Sequence, residues 1–240
     1  MNENRKVYED AIRPYITGEA ESCSYCDHLD PLILIEGVHT YVTLAIGQIV
    51  EGYVQICTQK HRTAATGLFE PESIELAGMK KIVRAAYREV YGNPGVAFEN
   101  GKAGSCLWKE KTEHNMKDLC HHTHIHYLPV EIDIRKRIEE TLPEVIIVHS
   151  LRELAEVRRD ELESRPYLYF EDGSETGYVY PVDDMKIPRQ FLRKCAAEEL
   201  GVPERADWLT YPGVELFEKG KEKLQPVLTR LHDESKNGRK

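Results

Sequence analysis

The sequence predicts an α+β fold: an antiparallel sheet carrying one long helix, followed by a mainly helical C-terminal extension that contains a β-hairpin. Short apolar runs cluster early, "PLILIEG" (31–37), "TYVTLAIG" (40–47) and "EGYVQICTQKH" (51–61), and their alternation suits adjacent antiparallel strands. Between Pro71 and Gly92, residues Ile74, Met79, Ile82, Val83, Ala86 and Val90 recur at helical spacing. Past residue 130 the chain turns charged and helix-like, interrupted by "PYLYFEDGSETGYVYPV" (166–182), which reads as a hairpin around an acidic, glycine-containing turn.

In chain order, residues 3–18 form an amphipathic helix ending near Gly18, and Cys23-x-x-Cys26 follows it. After the three early strands and the 71–92 helix, "PGVAFENG" (94–101) is a strand that runs into a turn. The polar stretch from Lys102 to Asp118 reads as a loop longer than the roughly 12–15 residues usual without a function, and so as a candidate lid. From Cys120 the chain is extended again until Pro129 stops the ladder. Three helices are expected beyond it, at 132–145, 150–164 and 187–201, the last stopped by Gly201, and the lysine-rich end 232–240 is expected to fray. The expected organisation is a catalytic domain over 1–130, with the N-terminal helix, and an α+β extension over 131–240 packed on it.

At 240 residues the chain can bury a full core without disulfides. With 41 acidic and 32 basic residues its formal charge is −9, which disfavours duplex nucleic acid as a partner while leaving room for a local basic pocket for phosphate. Six cysteines, two of them in Cys23-x-x-Cys26, fit a reduced compartment and a metal or redox role. The N-terminal "MNENRKVYED" has no apolar signal core and no run approaches the roughly 18 apolar residues that span a bilayer, so a soluble, cytoplasmic protein without a membrane partner is expected.

The stretch "CHHTHIHYLPV" (120–130) carries the chemistry. Period-two alternation puts His122, His124, His126 and Leu128 on one strand face, and His121, Thr123, Ile125 and Tyr127 on the other. Imidazoles about 6.5–7 Å apart along a strand cannot all pack as core residues without partners for their ring nitrogens. Two functional readings are open: a metal cage with an open position for hydrolysis, or a nucleophilic set in which one His attacks phosphorus, a neighbour handles the leaving-group proton and a third orients the pair. The Cys pair alone leaves zinc, a redox pair and unligated cysteines in competition. Cys57, Cys106, Cys120 and Cys195 read as ordinary buried or half-buried residues, and His114 lies in the candidate lid.

These residues resemble a known family. "His122-Thr-His124-Ile-His126-Tyr-Leu" is similar to the signature of the histidine triad (HIT) proteins, His-φ-His-φ-His-φ-φ with φ apolar, Thr123 being a mild departure. "FENG" (98–101) and "GQIVEGYVQICTQKH" (47–61) resemble segments upstream of the triad in that family and in the related galactose-1-phosphate uridylyltransferases. The resemblance covers about residues 20–130, and "RQFLR" in the 190s helix resembles the C-terminal extension of larger bacterial members. Ala45 falls where many small members carry an acidic ribose-binding residue, and "MKDLC" replaces the usual Gly-Gln-Ser before the triad.

The resemblance implies a HIT-like sheet and a nucleotide hydrolase that cleaves at the α-phosphorus of a nucleotide anhydride, ester or amidate. His124 would be the nucleophile, His126 the hydrogen-bond donor to the bridging or non-bridging oxygen, and Asn100 and Gly101 neighbours of the phosphates, with Gly101 allowing the turn. It also implies a structural zinc ion on Cys23, Cys26, His61 and His122, which removes His122 from the chemistry. Arg189 and Arg193, one helical turn apart, are candidates to meet a phosphate. A His at the third triad position favours hydrolysis over a nucleotidyltransferase or phosphorylase, and a noncatalytic nucleotide- or protein-binding module is the further alternative. Family members commonly pair through the long helix and a strand, so a homodimer is expected, with the 72–91 helix as the equivalent surface.

Overall fold

The computed structural model describes residues 3–17, 23–27, 30–102, 122–150, 153–154, 165–182, 187–188 and 190–237. The order of elements is α1 (Glu3–Thr17), β1 (Ile33–Glu36), β2 (Thr40–Leu44), β3 (Val54–Thr58), α2 (Glu70–Tyr91), β4 (Val96–Gly101), β5 (His124–Leu128), α3 (Arg135–Glu139), β6 (Ile146–Val148), β7 (Tyr167–Glu171), β8 (Gly177–Pro181), α4 (Phe191–Glu199) and α5 (Val214–Asn237). The eight strands form one sheet in the order β1-β2-β3-β5-β4-β7-β8-β6. The pairings between these strands are antiparallel, with one isolated parallel bridge from Lys102 to Tyr167, and the fold class is α+β.

Alternation along the central strands sorts side chains onto two faces. Val54, Ile56, Ala97, Ile125, Tyr127, Tyr167 and Tyr169 pack with residues of α1, α2 and α5 in one core. Tyr53, Phe98, Leu128, Leu168, Phe170 and Tyr180 pack with α3 and α4 in the other. The sheet is thus covered on both faces, and β2, β3 and β7 are buried along their whole length.

Helix α2 begins where Glu72 accepts the Phe69 amide (3.0 Å), one half of a capping arrangement, and where Glu72 also takes both Nε and Nη2 of Arg62 (2.8–3.0 Å). That pair ties the loop after β3, which carries His61, to the start of the helix. Further along α2, Lys80 and Arg84 converge on the buried Glu171 of β7, Lys80 at 2.7 Å, and Tyr169 donates to the same carboxylate at 2.6 Å. The 131–240 segment is therefore joined to the first half through the β4–β7 ladder and through this buried ion cluster.

Several expectations are corrected. The helix expected over 132–145 shortens to Arg135–Glu139, and the residues beyond Pro143 form β6, which pairs with β8. The tail expected to fray from His232 is instead helical to Asn237, because α5 lies on the sheet and on α2, with His232 buried and Arg230 bonded to Glu89 of α2 at 2.6 Å. Gly220 makes that approach possible, since a Cβ there would meet the Gly52 amide nitrogen at 2.7 Å. By packing on α2 and β1, α5 covers within the chain part of the surface through which pairing was expected. Of the helix expected at 150–164, Glu153 and Leu154 are described and helical. The candidate lid with His114 and Cys106, and also Cys120, His121 and Arg189, lie outside the described residues.

Candidate active site

The histidines of β5 and its approach lie on the face away from α2. The ladder to β3 pairs Gln55 with His126 and Cys57 with His124. It continues past the strand end, the Thr123 amide donating to the Arg62 carbonyl (2.5 Å) and the Thr58 amide to the Thr123 carbonyl (3.4 Å). The segment after β3 is thereby laid against the start of the histidine strand, and His61 comes beside His122 with ring centroids 4.9 Å apart.

At this end two cysteines join the histidines. The Cys26 and Asp27 amides both donate to the Cys23 carbonyl (2.9 and 3.0 Å), closing a tight turn. The ligand atoms of Cys23, Cys26, His61 and His122 all lie within 4.8 Å of one another, and this group could hold a metal ion. Sγ to Nδ1 separations are 3.3 Å for Cys26–His61, 3.5 Å for Cys26–His122 and 3.6 Å for Cys23–His122. His122 offers Nδ1 to this cluster because its Nε2 faces the Thr58 carbonyl at 2.8 Å, with Thr58 Oγ1 at 3.1 Å. A carbonyl only accepts, so Nε2 carries the ring proton and Nδ1 is left basic.

His124 has the opposite tautomer. Its Nδ1 donates to the His122 carbonyl at 2.6 Å, which leaves the Nε2 lone pair free of a ring proton. The half-buried ring is stacked against Tyr25, centroids 4.5 Å apart and planes 19° from parallel, and Tyr25 belongs to the same Cys23–Cys26 turn.

His126 is buried. Phe98 stacks on it (4.7 Å, 23°), while its Nδ1 meets Tyr53 Oη and, at 3.2 Å, Gln55 Nε2. Burial, reinforced by the neighbouring His124 and by the charge of Arg193, holds its pKa well below the usual imidazole value, so the ring is neutral at pH 7. The two downstream imidazoles lie edge to face with centroids 4.7 Å apart.

The remaining candidates are placed as follows. Asn100 shares the β4 face of Phe98, one alternation further along the strand. Gly101 is a strand residue rather than a turn former, and its role is steric: a Cβ would lie 2.2 Å from the Tyr167 ring. Arg193 is buried at 5% exposure, and its guanidinium is bonded to Tyr53 Oη (3.0 Å), the Gly47 carbonyl (2.8 Å), the Ala206 carbonyl (3.1 Å) and the Arg205 carbonyl (3.3 Å). Its expected place at a substrate phosphate gives way to a place behind His126. A shallow, water-sized depression lined by Ser24, Tyr25, Tyr41, Thr43, Leu44, Ile46 and Gln55 adjoins the residues that touch His124 and His126.

Sequence reasoning missed Tyr25, Tyr53, Gln55 and Thr58. One signal was present: Gln55 is a polar residue in the apolar strand "VQIC", where an unpaired amide is costly to bury.

No family model and no curated protein sequence matches the chain. Solved structures do resemble it. A hypothetical histidine triad nucleotide-binding protein from Sulfolobus tokodaii aligns at 17% identity and TM-score 0.34, over 46% of this chain and 71% of its own. A HIT family protein from Bacillus anthracis aligns at 15% identity and TM-score 0.31, over 48% and 69%. The yeast Ap4A phosphorylase Apa2, in complex with Ap4A, aligns at 10% identity and TM-score 0.44, over 92% of this chain and 96% of its own. The neighbours are histidine triad proteins and an Ap4A phosphorylase. At these scores the likeness assigns no residue a role, and the chemistry rests on the geometry above. Among the described residues no helix is long and apolar enough to cross a membrane.

Proposed function

We propose that the protein is a nucleotide-processing enzyme of histidine triad type, hydrolysing a nucleotide conjugate at its α-phosphorus. The observation that carries this reading is the His124 Nδ1 to His122 carbonyl bond, which in the neutral ring directs the proton to Nδ1 and leaves the lone pair on Nε2. Nε2 attacks the α-phosphorus, a P–N bond forms, and the bond from phosphorus to the leaving oxygen or nitrogen breaks. The leaving group departs with the electron pair of the broken bond and takes its proton from solvent water, while His124 keeps its Nδ1 proton. His126, its Nδ1 occupied by donors, presents Nε2–H to the bridging or a non-bridging oxygen and offsets charge as it develops. Water then displaces the nucleotide from His124. Asn100 sits on the same sheet face for contact with phosphate oxygens.

The nucleotide assignment rests on the triad motif at 122–128 and on "FENG" at 98–101. We assign the Cys₂His₂ cluster to zinc: a tetrahedral site with Zn–S of about 2.3 Å and Zn–N of about 2.0–2.1 Å has edges of about 3.3–3.8 Å, and three of the four S–N separations, at 3.3–3.6 Å, fit it, all the ligand atoms lying within 4.8 Å of one another. Four protein ligands would leave no open position, so a zinc ion held by Cys23, Cys26, His61 and His122 would supply folding energy and hold His61 and His122 in place.

The test is incubation with a panel of nucleotide phosphoramidates, dinucleoside polyphosphates and nucleotide sugars, followed by intact-mass analysis and product assay. The expected result is an adduct of one nucleotidyl mass, discharged by water. Phosphate or a sugar phosphate outcompeting water would convert the assignment to phosphorylase or transferase. A nucleotide that binds without being cleaved would identify a binding module and overturn the enzymatic reading.

A further inference from the structure

We infer that Arg193 and Tyr53 form a directional hydrogen-bond chain that sets the tautomer of His126. The inference deepens the proposed function and rests on it for the meaning of the His126 Nε2–H group. Arg193, Tyr53 and His126 come from α4, the start of β3 and β5, so the chain links the C-terminal segment to the triad.

The direction follows from the donor inventory. A guanidinium has five N–H donors and no acceptor, so at 3.0 Å from Arg193 Nη1 the Tyr53 oxygen must accept. Burial raises the Tyr53 phenol above its ordinary pKa, against the opposing pull of Arg193, and the hydroxyl keeps its proton. The neighbour of that hydroxyl on its other side is His126 Nδ1. If Nδ1 were protonated, the buried phenol proton would have no acceptor there. Nδ1 therefore accepts, and the ring proton sits on Nε2. Gln55 cannot set this direction by itself, because its amide can turn either nitrogen or oxygen toward Nδ1. Arg193 has no such freedom.

Two further observations support a positioning role rather than surface decoration. Among the described residues Arg193 has no carboxylate partner, and its other donors are fixed by carbonyls of Gly47, Arg205 and Ala206. The two hydrogen-bond neighbours of His126 among the described residues, Tyr53 and Gln55, both meet Nδ1, and none of the described residues bonds Nε2.

The test is long-range ¹H–¹⁵N correlation on protein with ¹⁵N-labelled histidine, comparing wild type with Arg193→Met and Tyr53→Phe, with zinc content and thermal melts as controls for folding. The wild type should show a single Nε2–H tautomer at His126. Arg193→Met should show both tautomers, with kcat lowered about 10-fold, less than the roughly 10²–10⁴-fold of deleting a positioned proton donor because the ring remains, and KM little changed. Tyr53→Phe, which keeps the ring in place, should shift the tautomer in the same sense. A folded Arg193→Met and a folded Tyr53→Phe that both keep the pure Nε2–H form overturn the inference. The spectroscopic result needs no turnover, so a wild type inactive on every conjugate but with the tautomer shift intact would sink the proposed function and leave the chain Arg193–Tyr53–His126 standing.

Discussion

The two ends of the histidine strand carry the same side chain in opposite settings. At the His122 end, Nε2 is tied to the Thr58 carbonyl and Nδ1 faces two sulfurs and a second imidazole. At the His126 end, a buried ring packs on Phe98 and takes donors from Tyr53 and Gln55. His124 lies between, half-buried, with one nitrogen fixed by a carbonyl. What holds an imidazole's second nitrogen decides which nitrogen it offers, and the three different holders along this segment are the basis for the proposed roles of ligand, nucleophile and donor.

Each end can be broken separately. The largest effect on the fold is expected from Cys23→Ser, which should empty the metal site and lower Tm sharply, since structural zinc sites in small peptides supply on the order of 10 kcal/mol. Metal analysis and a thermal melt check it, and Tm and metal content equal to wild type would contradict it. At the other end, His126→Ala should leave the metal in place and slow adduct formation and breakdown by about 10²–10³-fold, read by single-turnover kinetics.

The protonation of His126 gives a smaller, pH-dependent difference. Its folded pKa lies well below the unfolded value, so the unfolded chain binds the proton first, and this contribution to stability is full above about pH 6.5 and falls as pH drops below it. The loss approaches about 1.4 kcal/mol per pH unit until the folded pKa is reached. In melts between pH 7.5 and 5.5, His126→Gln should lose less stability than wild type. Equal slopes would contradict the burial argument. The smallest effect is expected from Thr58→Val: the backbone carbonyl still fixes His122, so metal affinity should weaken by only about 10-fold in a chelator competition.

The two ends also differ in how much of them could be read from sequence. The candidate metal end was legible, because Cys23-x-x-Cys26 has ligand spacing and the family resemblance implied His61, at the end of "GQIVEGYVQICTQKH", and His122, the first of the triad, as its partners. The His126 end was not, since Tyr53 and Arg193 stand 140 residues apart and nothing in either local pattern points to the other. Arg193 in "RQFLR" reads as a candidate phosphate contact, and its bond to Tyr53 exists only once α4 is folded onto the sheet. The same contrast runs through the fold. Strands with alternating or continuous apolar runs were found, and so was α2 between Pro71 and Gly92. Helix α5 escaped because Gly220 and Pro226 interrupt its pattern and its helical state comes from packing on α2 and β1. Strand β6 is three residues long, too short to alternate visibly, and exists through its pairing with β8.

The most direct measurement is the covalent adduct in His124→Ala beside wild type, with metal content and melting followed in both. The expected result is an adduct of nucleotidyl mass in the wild type, none in His124→Ala, turnover lower by at least about 10³-fold, and unchanged metal and Tm, since the substitution deletes the attacking nitrogen and no metal ligand. An adduct of the same mass in His124→Ala, or near wild-type turnover with the metal intact, would place the nucleophile elsewhere and contradict the assignment of His124.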